Sequence, residues 1–138
     1  MRYLAIDYGL KRTGLAVCDR SETIASPLTV IEGHNHEQLI NRIIQVLRDE
    51  NIEAIVLGLP YNMDDTEGPQ AKVVYKFAEL LRQHIDIPIH FQDERLSTFE
   101  AQQRIAPAEY TRKKKKKRLD AIAAAQILET FLEQKKKQ

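Results

Sequence analysis

One cysteine, Cys18, stands in the whole chain, so no internal disulfide and no multi-cysteine zinc or iron–sulfur site can form. Five Gly and five Pro among 138 residues are too few for a low-complexity segment. No apolar run approaches the roughly 20 residues of a membrane span. The first apolar run, Tyr3 to Ile6, is cut short by Asp7 and does not read as a signal peptide. These absences predict a reducing, cytoplasmic setting with no membrane partner. What is present, 43% hydrophobic and 30% charged residues, is the balance of one globular domain with a single core.

The net charge of +1 conceals an asymmetry. Residues 1–111 carry 11 basic and 17 acidic side chains, whereas residues 112–138 carry 10 basic and 3 acidic ones. An acidic body with a basic final segment suggests a polyanion held against a carboxylate-bearing surface.

Hydrophobic periodicity orders the elements. RYLAID (2–7) reads as a buried strand, YGLKRTG (8–14) as a turn, and GLAVCD (14–19) and residues 25–31 as two further strands of an antiparallel meander. Leu39, Ile40, Ile43, Ile44 and Leu47 then line one face of a helix. EAIVLGLP (53–60) is a buried strand stopped by Pro60, residues 70–84 a second helix, and IPIHFQ (87–92) another strand. Ser97 and Glu100 have capping-box spacing and predict a short helix ending near Pro107. A basic loop and a last helix over about residues 120–133 complete the chain. Helical crossovers make the strands at 2–7, 53–59 and 87–92 parallel. The fold class is α/β: one mixed five-stranded sheet, a three-strand meander plus two parallel strands, flanked by helices.

Parallel strands end at one edge of a sheet, where open α/β folds bind ligands. Asp7 closes the first strand, Asp93 and Glu94 close the strand of 87–92, and Asp120 opens the last helix. An Asp at a strand end is also a common turn former, and Asp120 has the character of a helix N-cap. Brought together, however, acids from distant parts of a chain repel one another unless a cation lies between them. Hard oxygen ligands suit Mg2+ or Mn2+, and two such ions about 3.5–4 Å apart support phosphodiester hydrolysis.

Four segments add weight to the grouping: DYGLKRTGLA (7–16), VLGLPYNMDDTEG (56–68), DERLSTFEA (93–101) and LDAIAAAQIL (119–128). In order and spacing, across essentially the whole chain, they resemble the YqgF family of RNase H-like nucleases. That family is described both as Holliday-junction resolvases and as nucleases maturing the 5′ end of 16S ribosomal RNA. The resemblance implies a single RNase H-like domain over residues 1–138, with Asp7, Glu94 and Asp120 as its metal-binding catalytic acids. It further implies a hydrolase acting on RNA or branched DNA, as a monomer or weak homodimer.

Other residues have simpler physical roles to weigh. Gly9 and Gly14 let the first hairpin turn beside Asp7, and Gly58 permits close approach at the end of the second parallel strand. Lys11 and Arg12 either hold a phosphate or decorate a solvated turn, and Arg95 either orients Glu94 or grips a phosphate. Arg112, Lys113, Lys114, Lys115, Lys116, Lys117 and Arg118 form an unbroken basic run, expected as a mobile loop that clamps a nucleic-acid backbone. Lys135 to Lys137 are expected in a frayed tail. None of the four histidines is positioned for catalysis: His34 and His36 fall in a loop, His84 near a helix end and His90 within a strand. Two other functions compete. One is a sugar-kinase-like phosphotransferase, which also opens on a strand and an Asp-x-Gly turn but needs two such domains. The other is a non-catalytic nucleic-acid-binding module, against which the retained acids argue.

Overall fold

A computed structural model describes residues 1–33, 35–60, 68–94 and 112–137, with the backbone alone for 112–118. The strands are β1 (Tyr3–Asp7), β2 (Arg12–Cys18), β3 (Ala25–Glu32), β4 (Ala54–Leu59) and β5 (Ile89–Asp93). The helices are α1 (His36–Asp49), α2 (Pro69–Arg82) and α3 (Arg112–Lys136). The strands form one sheet in the order β3-β2-β1-β4-β5. β1 pairs antiparallel with β2 and parallel with β4, and β4 pairs parallel with β5. The expected meander and parallel half are therefore both present. The short helix predicted to open at Ser97 lies outside the described residues.

Helices cover both faces of the sheet, which explains why β1 and β4 are almost continuously apolar. On one face Leu4, Ile6, Leu15, Ile55 and Leu57 pack with Leu39, Ile40 and Ile43 of α1 and with Val74, Phe77, Ala78 and Leu81 of α2. On the other, Tyr3, Ala5, Ala16 and Val56 meet Ala124, Ala125, Ile127 and Leu128 of α3. Small residues on both sides of that second interface let α3 lie close to the sheet. β3, at the edge, accommodates Pro27 opposite Ala16, beside a register shift at Leu15/Ala16.

Local chemistry fixes the helix ends. Asn35 caps α1 by accepting the Gln38 N–H at 3.1 Å. The C-terminus of α1 closes on Asn51 in the left-handed region (φ 53°), while the Ile52 N–H bonds back to the Leu47 carbonyl at 3.0 Å. Gly68 and Pro69 start α2, with proline at the first turn where its missing N–H costs nothing.

Two expectations about the C-terminal segment are corrected. Residues 112–118, read as a loop, are helical and continuous with the helix that carries Asp120. Lys and Arg are good helix formers, and extending a helix already anchored by packing avoids the nucleation cost, which outweighs like-charge repulsion of a few tenths of a kcal/mol per pair. Lys135, placed in a frayed tail, instead meets Glu22 at 2.6 Å and sits 5.0 Å over the Tyr3 ring. Glu22 also takes the N-terminal ammonium at 3.3 Å, so both chain ends are tied at one carboxylate.

Candidate functional site

Asp7 is the last residue of β1, and its alternation with Tyr3 and Ala5 turns it toward the α3 side of the sheet. Two strands away, Glu94 follows β5 directly. Its N–H bonds to the Leu59 carbonyl at 3.3 Å and holds it against the end of β4. Gly58, on β4 between them, leaves the space that the Glu94 carboxylate occupies: a Cβ there would stand 2.5 Å from Glu94 Oε2 and 2.6 Å from Ile127 Cδ1.

Asp120 arrives from the other layer. Asp7 pairs with Gly14 across β1 and β2, and a Cβ on Gly14 would fall on the Asp120 carbonyl. Gly14 was read from sequence as part of a tight turn. It is instead an interior strand residue whose missing side chain admits the backbone of α3. The helix therefore docks with Asp120 beside Asp7, over a residue that could be nothing larger.

Asp7 feels both of the other carboxylates. Burial raises the Asp7 carboxyl well above the ordinary carboxylate range, with the charge and hydrogen bond of Glu94, and then the charge of Asp120, adding to it. Burial also raises Glu94, together with the charge of Asp93, while the hydrogen bond from Asp7 works the other way. Asp7 and Glu94 thus share a proton carried on Asp7, and they titrate as a pair. Asp120 leans away, to Arg12 Nε at 3.5 Å. As the side chains stand, no group of three His, Cys, Asp or Glu among the described residues is arranged to hold a metal ion.

The remaining predicted site residues divide. Lys11 is exposed in the bend before β2, while Arg12 opens β2 and faces Asp120. Arg95 lies outside the described residues. Arg112 to Arg118 occupy the first two turns of α3, so their backbone leads into Asp120. Sequence reasoning overlooked Tyr8 and His36. His36 is not in a loop but opens α1, where its Nε2 meets the Tyr8 hydroxyl at 2.7 Å, and the Tyr8 ring stacks on Phe77 at 4.3 Å. Tyr8 directly follows an acid at a strand end, and that adjacency was the available signal.

Comparison with known proteins fits this geometry. A family model described as "RuvX: Holliday junction resolvase" matches residues 1–134. A protein of Thermoanaerobacter pseudethanolicus named "Putative pre-16S rRNA nuclease" is 40% identical over 137 residues, covering 99% of each chain. One of Roseiflexus sp. with the same name is 39% identical over 132 residues, covering 96% of this chain and 94% of its own. Among solved structures, "T. thermophilus RuvC in complex with Holliday junction substrate" superposes with a TM-score of 0.64 over 99% of this chain and 96% of that one. At 15% identity this last likeness speaks for the fold alone. The chain belongs to the RuvX family, the YqgF family whose motifs it carries.

Proposed function

We propose that this protein is a metal-dependent nuclease that hydrolyses phosphodiester bonds in structured nucleic acid, with the 5′ end of precursor 16S rRNA as its substrate. The observation that carries this reading is the meeting of Asp7, Glu94 and Asp120, from β1, the end of β5 and α3, around one edge of the sheet. The names of its near-full-length relatives support the choice of substrate.

The donor chemistry fits a hard divalent cation. Three carboxylates offer only oxygen, and the raised proton affinity of Asp7 and Glu94, from burial first and neighbouring charge second, marks a site where negative charge is poorly compensated. Asp7, Glu94 and Asp120 would hold Mg2+ or Mn2+ once the shared proton leaves and Asp120 turns from Arg12. Bound there, the ions supply an activated water and charge stabilisation for the leaving oxygen. Arg12, released from Asp120, becomes a cation for a substrate phosphate, and Lys11 in the preceding bend adds a second. The basic turns of α3 carry seven charges along about 10 Å of helix axis at 1.5 Å per residue, directly before Asp120. They offset the repulsion that the acids exert on an approaching polyanion.

The description of the family model favours a second substrate, the four-way DNA junction. Side-by-side cleavage of a precursor 16S rRNA 5′ leader and a four-way DNA junction, with Mg2+, Mn2+ or chelator, tests both. Metal-dependent cleavage of the leader is expected. Cleavage of the junction alone would transfer the protein to the second reading, and no cleavage of either would leave a binding module.

A further inference from the structure

An aromatic cleft lies beside the end of β1, on the face of the sheet opposite Asp7. Its larger lobe, about 570 Å3, is lined among others by Tyr8, Leu10, His36, Tyr75 and Leu80. A smaller lobe of about 260 Å3 is lined by Tyr8, Gly9, Leu10, Pro60, Val73 and Glu94. Tyr8, Leu10 and Val73 border both lobes, so the two adjoin, and Glu94 is on the wall of the smaller one.

We infer that this cleft receives an unpaired nucleobase of the substrate strand, next to the phosphate presented to the acids. The inference rests on the nuclease reading and names the part of the substrate that the reading leaves open. Three observations support it. First, the walls have the wrong chemistry for a phosphate and the right one for a base. They are mostly apolar, and of the charged groups on them Glu79 would repel an anion, while Lys76 is exposed and able to meet the sugar–phosphate backbone. Second, the walls are prearranged. Tyr8 is held by His36 through its hydroxyl and by Phe77 through its ring, and Tyr75 stands edge-on to Phe91 at 5.0 Å. A ring fixed before binding loses little entropy when a base packs against it. Third, Leu10 is 62% exposed at the border of the two lobes. At that border its side chain offers an apolar surface to a base or its sugar. A cleft of this size takes one or two base planes but not a duplex, so the base it accepts has left its pair.

The inference predicts selectivity for strands with an unpaired base beside the scissile phosphate, and it is tested by binding in chelator. The probes are a short single-stranded RNA, the same RNA with one abasic position, and the same RNA with 2-aminopurine there. Scanning that position along the strand should find one place where removing the base weakens binding about tenfold and where 2-aminopurine fluorescence is quenched. Leu10→Ser and Tyr75→Ser, each checked by thermal melting, should lose the quenching and bind intact and abasic RNA alike. The abasic comparison uses the unaltered protein, so a variant that fails to fold does not remove the test. Equal binding of intact and abasic RNA at every position would overturn the cleft while leaving the nuclease reading in place. No binding of any RNA would overturn that reading and the cleft with it. Concentration-dependent dimerisation that Leu10→Ser abolishes would assign the cleft to a second copy of the chain, and would equally overturn it.

Discussion

The carbonyl of Asp120 occupies the space where a side chain on Gly14 would have to stand. This one relationship ties fold to site, because Gly14 is also the strand partner of Asp7. Replacing Gly14 by Ala drives a methyl group into backbone rather than into a side chain that can rotate, so α3 must shift as a unit. The expected cost is about 1–3 kcal/mol of stability, as for other overpacked sites, with loss of cleavage as Asp120 moves from Asp7. Chemical denaturation and a cleavage assay check both. A Gly14→Ala protein of unchanged stability would mean that α3 docks elsewhere.

The shared proton between Asp7 and Glu94 makes metal-free stability depend on pH. Asp7 has a folded-state pKa above its ordinary value of 3.8. Below that ordinary value the carboxyl is protonated whether the chain is folded or not, and nothing is lost. As pH rises from there toward the folded-state pKa, the unfolded chain gives up its proton first and the fold loses stability, by about 1.4 kcal/mol per unit of separation. Above the folded-state pKa the penalty is complete. Asp7→Asn keeps a donor for Glu94 and removes the penalty. In chelator at pH 7 it should melt no lower than the parent protein, while cleavage in Mg2+ is abolished. A clear drop in melting temperature would assign Asp7 to structure rather than chemistry.

Much of this was legible in the sequence, for identifiable reasons. The order of elements along the chain followed from the change in hydrophobic period between 2–31 and the helix of Leu39 to Leu47, and the acids at the ends of β1 and β5 followed from their position after apolar runs. Other features escaped. The helical state of residues 112–118 depends on docking of the Ala-rich turns that follow, a tertiary effect absent from a seven-residue window. The role of Gly14 depends on which element crosses it, and a glycine in an apolar strand looks the same under a helix as at a turn. The pairing of Arg12 with Asp120 joins residues more than a hundred positions apart and has no local signature.

Exchange of Lys113 to Lys117 for Gln removes five charges at little cost in helix propensity. If about four of the seven charges of the run contact phosphates of a single strand, the run contributes roughly −3 to the slope of log affinity against log salt. The variant should lose most of that contribution and bind all sequences more weakly to the same degree. Far-ultraviolet circular dichroism verifies that the helix survives. An unchanged salt slope would make these turns a solvated extension of α3.

Cys18 tests the packing under α3 without touching the site. The residue is 1% exposed, and its thiol accepts the Tyr3 N–H at 3.2 Å and is pushed up in pKa first by burial. A buried, protonated thiol is a poor nucleophile. Alkylation by iodoacetamide at pH 7 should be slow in the native protein and fast in denaturant. Rapid native labelling would show that the interface between β1, β2 and the C-terminal turns of α3 opens readily.

Gly58 offers the converse of Gly14, and comparing the two separates folding from chemistry. The nearest atoms to a methyl group at Gly58 are side-chain ends, Glu94 Oε2 and Ile127 Cδ1. Both can rotate, so Gly58→Ala should cost less stability than Gly14→Ala. The same methyl nevertheless displaces the carboxylate that Asp7 is bonded to, so cleavage should fall sharply. The two alanine variants thus reach a common loss of activity by different routes, one through the helix and one through a single side chain. Melting each in chelator and assaying each in Mg2+ distinguishes the routes. Full activity in Gly58→Ala would mean that Glu94 does not work from the position it holds beside Asp7, and would remove it from the catalytic set.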